Sequence, residues 1–114
     1  MLKANKTSAP QAPAELFAAL GDSTRLALVD RLGSGKNASI SKLSAGMQLS
    51  RQGITKHLRV LENAGIVEST RVGRELQFAL KPESLTPLQE YLQLVSSQWD
   101  DAIGRLQAFV EDDE

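Results

Sequence analysis

The sequence predicts a mainly α-helical domain with one small β-hairpin, and three observations carry that expectation. Four apolar-periodic segments fill residues 13–64, the first opened by a proline and the other three by capping residues. Alternating apolar and polar residues then lead to and from Gly73-Arg74. An apolar heptad runs through the C-terminal segment from Leu88 to Phe109. The chain has 114 residues, the size of one domain with a modest core. Aromatic residues make up 4% of it, so that core is built mainly of Leu, Ile, Val and Ala.

Residues 1–12 lack an apolar period and read as a flexible arm. Pro13 suits the first position of a short helix whose apolar face is Leu16, Phe17 and Leu20, and Gly21 ends it. Asp22 caps a second helix through Leu32, which Gly33, Ser34 and Gly35 stop. Ser39 or Ser41 caps a short third helix with Ile40, Leu43 and Met47 inward. Ser50 caps a fourth from Arg51 to Ala64, where Ile54, Leu58 and Leu61 form one stripe and Gly65 closes the end.

Ile66–Val72 and Glu75–Leu80 read as a two-stranded hairpin turning near Gly73. Lys81–Thr86 reads as a linker. Thr86, Pro87 and Gln89 then read as a cap, a first-turn proline and a capping-box partner for a last helix reaching about Glu111. The domain thus spans 13–110, with the last helix at 86–111 and an acidic tail at 112–114. Two short helices joined by a tight turn and followed by a hairpin predict a winged helix-turn-helix of five helices and a two-stranded wing.

Charge is segregated along the chain. The net charge is −1, but residues 1–82 hold 12 Lys/Arg against 6 Asp/Glu, and residues 83–114 hold 1 against 8. The split fits either two surfaces with different partners or an ordinary solvated surface with an acidic tail, and charge alone does not choose between them. The fourth helix presents Arg51, Gln52, Thr55, Lys56 and Arg59 opposite its apolar stripe, with no acid on that face until Glu62. These side-chain types pair with base edges and phosphates in a major groove. Ser50 and the open N–H groups of the first turn add an anion-binding end. Arg71 and Arg74 lie at the hairpin tip, where a wing meets a DNA backbone. Basic helix and basic wing together predict binding to double-stranded DNA.

The stretches "LGDSTRLALVDRL" and "LSRQGITKHLRVLENAGIVESTRVGRELQFAL" resemble the ArsR/SmtB family of winged-helix repressors, over roughly residues 14–110. The resemblance implies a homodimer joined through its first and last helices and repression by covering an operator. It also implies that Arg51, Gln52, Thr55, Lys56 and Arg59 face DNA, with Arg74 in the wing. His57, the one histidine, falls by this resemblance on the recognition helix, in a structural or phosphate-contact role. Ser23 stands where many members have Pro. The third helix carries no Cys and the last helix no His, so the chain resembles the members that do not sense metals.

In the last helix Leu88, Leu92, Val95, Trp99, Ala102, Leu106 and Phe109 step by alternating fours and threes, an unbroken heptad seam widened by Tyr91, Ile103 and Val110. We expect this seam, with Leu16, Phe17 and Leu20, to form a dimer interface, which makes the DNA target an imperfect palindrome.

Other classes fit poorly. The absence of cysteine excludes disulfides, thiolate metal sites and thiolate catalysis. There is no glycine-rich phosphate loop, and the single histidine has no evident catalytic partner, so neither an enzyme, a cofactor nor a metal site is expected. No apolar run reaches the length of a membrane span, and a cytoplasmic location is expected. The competing reading is a winged helix used for protein–protein contact without DNA. RNA binding ranks below it, because no aromatics interleave with the basic residues. The sequence specifies no inducer.

Overall fold

The computed structural model describes residues 13–112; the expected arm at 1–12 and the end of the acidic tail lie outside the described residues. Helix α1 spans Pro13–Leu20 and α2 spans Ser23–Leu32. A two-residue strand β1, Ala38–Ser39, leads into α3, Ile40–Ser44. Helix α4 runs Arg51–Asn63, followed by β2 at Val67–Val72 and β3 at Glu75–Leu80. A 3-10 turn at Pro82–Leu85 feeds α5, Thr86–Asp112.

Three of the predicted caps are in place. Asp22 is extended and its carboxylate accepts the Arg25 N–H at 3.1 Å. Ser39, rather than Ser41, caps α3 by accepting from Lys42 N, and Ser50 caps α4 by accepting from Gly53 N at 3.0 Å. Each meets one of the N–H groups that a helix start leaves open. Helix α4 ends in a Schellman arrangement. Gly65, at φ 81°, donates to Glu62 O, and Ile66 N donates to Leu61 O. Gly73, at φ 65°, makes the hairpin turn.

Two expectations are corrected. The sheet has three strands in the order β1-β3-β2, all antiparallel, where a two-stranded wing was expected. Ala38 pairs with Phe78 and Ser39 with Gln77, so β3 is the central strand. Thr86 does not form the expected extended cap. It is already helical, at φ −56° and ψ −45°, because the 3-10 turn delivers the chain to α5 already coiled.

The core gathers one face of every element. Leu16, Leu28, Leu32, Leu43, Ile54, Leu58, Leu61, Ile66, Val67 and Phe78 are buried side chains. The α4 stripe Ile54, Leu58 and Leu61 is fully enclosed, which fixes that helix's rotation and sends its polar ridge outward. Helix α5 contributes only Leu88 to this core. Beyond Leu88 and the contact of Tyr91 with α1, the helix, about 40 Å long overall at 1.5 Å per residue, stands off the domain. Among the described residues no helix is long and apolar enough to cross a membrane.

Candidate nucleic-acid interface

Helices α3 and α4, with the turn at 45–50 between them, form the helix-turn-helix. Arg31 of α2 holds that turn. One of its guanidinium nitrogens donates to Leu43 O at 2.8 Å and to Ala45 O at 2.6 Å. Carbonyls at the end of a helix lack partners within it, so a cation placed there satisfies both hydrogen bonding and the helix dipole.

On α4, Arg51, Gln52, Lys56 and Arg59 are exposed, Thr55 is partly exposed, and Ser50 is exposed at the cap. These expected site residues therefore share one accessible face. Arg51 donates to Ser41 Oγ, which ties the start of α4 to α3. Thr55 Oγ1 donates to Arg51 O at 2.8 Å, so its hydroxyl proton is engaged along the helix. Arg59 donates to Glu62 Oε1 at 2.6 Å, and Glu62 Oε2 accepts from Ser69 Oγ of β2 at 2.7 Å. Burial works to raise the Glu62 pKa, but the bonds from Ser69 and Arg59 outweigh it and hold the carboxyl below its usual value. Through this link the polar ridge of α4 lies beside the wing strand. Arg71 and Arg74 are exposed on the two sides of Gly73.

His57 points back into the domain. Its Nδ1 accepts from Arg25 Nη1 at 3.1 Å, and Asp22 Oδ2 stands 3.7 Å from the same nitrogen. The Arg25 Nε also donates to Ala19 O at 2.6 Å, at the end of α1. One side chain on α2 thus joins α1 to α4. The Asp22 carboxyl lies below its usual pKa chiefly because it accepts the Arg25 backbone N–H, with the charge of the Arg25 guanidinium adding to the effect. Sequence reasoning missed both Arg25 and Arg31 as positioning residues. Their partners are backbone carbonyls and a histidine 32 positions away, and no local pattern announces such bonds.

The expected dimer residues divide. Leu16 and Leu88 are inside the protomer, at 0% and 7% exposed, because each packs into the domain's own core. Leu20 is partly buried against that core. Leu92, Trp99, Leu106 and Phe109 are exposed, Trp99 at 65% and Phe109 at 70%, and Val95 and Ala102 are partly exposed beside them. Phe17 is exposed on α1 and meets Tyr91 of α5 edge to face, with ring centroids 5.8 Å apart. Among the described residues no group of three or more His, Cys, Asp or Glu is placed to hold a metal ion.

A capped helix with a basic ridge, set beside a wing with a basic tip, defines a winged-helix DNA-binding regulator, and comparison with known proteins agrees. A helix-turn-helix domain family matches residues 20–70. The HTH-type transcriptional regulator Rv2034 of Mycobacterium tuberculosis is 31% identical over 103 residues, covering 80% of this chain and 95% of that one. A transcriptional repressor SmtB homolog of Synechocystis is 34% identical over 70 residues, 61% of this chain and 52% of that protein. An ArsR-like transcriptional regulator from Rhodococcus superposes with a TM-score of 0.71 at 34% identity, covering 85% of this chain and 91% of that structure. The chain belongs to the ArsR/SmtB family of winged-helix transcriptional regulators.

Proposed function

We propose that the protein represses transcription as a homodimer on an imperfectly palindromic operator. The leading turns of α4, with Arg51, Gln52, Thr55 and Lys56, enter the major groove. Arg74 at the wing tip rests on phosphate, with Ser50 and Arg71 contributing at the edges. The observation that carries this reading is the accessible polar ridge of α4, turned outward by the fully buried Ile54, Leu58 and Leu61 and joined to the wing through Glu62 and Ser69. The dimer is supported by the exposed apolar seam of α5, a continuous apolar surface of a kind that seldom stays in water. Repression is supported by the relative described as a repressor.

A salt series on two variants tests the docking. A base-edge contact discriminates by about 1–3 kcal/mol, whereas a phosphate contact is blind to sequence and shows as a salt slope. Gln52→Ala is expected to weaken binding to DNA enriched from a random pool far more than binding to random duplex, with the slope little changed. Arg74→Ala is expected to weaken both alike and to flatten the slope by about 1 for each phosphate that is no longer neutralised. The reverse pattern would overturn the assignment of groove and wing.

A further inference from the structure

Glu62 sits in the last turn of α4, where the basic ridge meets the wing. Its two carboxylate oxygens serve separate partners. Oε1 takes the Arg59 guanidinium at 2.6 Å, and Oε2 takes the Ser69 hydroxyl of β2 at 2.7 Å. Exposed ion pairs three residues apart on a helix are weak when both side chains move freely. Here one oxygen of the acid is fixed to a strand and its side chain is 27% exposed, so the acid is held in place before Arg59 meets it. Arg59 is half exposed and carries five N–H donors. Released, it would be a mobile cation on the DNA-facing ridge.

We propose that Glu62 is a positioning residue that withholds Arg59 from phosphate and so limits the sequence-blind affinity of the protein for DNA. The proposal rests on the DNA-binding reading above. A guanidinium already neutralised by a carboxylate displaces few counterions when it approaches DNA. Any energy it gave would be nearly the same for every sequence, adding to background binding without adding to recognition. The recognition surface therefore carries one fewer effective cation per protomer than its residue types suggest.

The test is a double-mutant cycle on a random-sequence duplex, read as a salt series. Glu62→Gln keeps the side chain's shape and an acceptor for Ser69 but removes the charge that holds Arg59. It is expected to steepen the slope of log affinity against log salt by about 0.9 per protomer, an eight-fold gain for each ten-fold drop in salt. In an Arg59→Gln background the same change is expected to give little gain. An equal gain in both backgrounds would show a general charge effect and overturn the proposal. So would weaker binding by Glu62→Gln, which would mean that the acid readies Arg59 for DNA. Absence of salt-dependent binding by the wild type would overturn the DNA-binding reading and this proposal with it. The wild type gives an independent measurement through NMR of the Arg59 guanidinium. Hindered rotation in the free protein that persists with random duplex supports the restraint, and free rotation in the free protein overturns it.

Discussion

Trp99 is the only tryptophan in the chain and is 65% exposed on α5. A tryptophan side chain offers about 200 Å² to bury, so roughly 130 Å² remains for a partner, worth about 3 kcal/mol at 25 cal/mol per Å². In the proposed twofold dimer the residue counts twice, giving at most about 6 kcal/mol, and area converts to affinity only in part. If half is realised, Trp99→Ala weakens the dimer by about 3 kcal/mol, or roughly 100-fold in dissociation constant. Sedimentation equilibrium over a range of concentrations measures that shift. The wild type supplies a second readout, because dilution below the dissociation constant should move its tryptophan emission to the red as the ring enters water. The fold of the variant should be unchanged, since Trp99 lies outside the domain's core. A wild type that is monomeric at micromolar concentration, or a variant with an unaltered dissociation constant, would refute the reasoning.

Ser50→Ala should cost about 1 kcal/mol of stability through the missing α4 cap, read as a lower midpoint in denaturant with an unchanged slope. Arg25→Ala should cost about 1.5–3 kcal/mol, because it leaves the α1 carbonyl of Ala19 and His57 Nδ1 without their donor. It should also weaken DNA binding beyond what the drop in stability explains, since the hydrogen bond that orients α4 through His57 is gone. The Glu62 carboxyl has a lowered pKa in the folded state, so the stabilisation it brings is complete above the usual value near 4.5 and fades as pH falls through the folded value. The stability difference between wild type and Glu62→Gln should therefore shrink in urea titrations run at successively lower pH below 5. A difference that stays constant would show that the carboxylate charge adds nothing.

Features written in local chemistry were legible in the sequence. Asp22 and Ser50 cap because a short polar side chain before an apolar period has an N–H within reach. Gly65 and Gly73 turn because only a residue without Cβ adopts those angles cheaply. The buried stripe of α4 is a matter of spacing. What escaped was long-range. Strand β1 is two residues with no period of its own, and it exists because Phe78, far along the chain, offers its unpaired edge. The restraint on Arg59 was half visible, as a pair three residues apart, but Ser69 joins it only after the chain has turned through Gly65. The seam of α5 was readable as a heptad, yet its first member faces inward, because periodicity does not say where a helix leaves its own domain.

The third strand gives the wing the mechanics of a cantilever. Ala38 and Ser39 grip β3 at Phe78 and Gln77, while the outer half, toward Gly73, is paired with β2 alone. Ser39 closes β1 and also caps α3, so the root of the beam and the start of the helix-turn-helix are one residue. A load applied at Arg74 is therefore resisted at Phe78, which is fully buried. Trimming Phe78 would open a cavity in the core and weaken the whole domain, while a change at the exposed Val72 would leave the root intact.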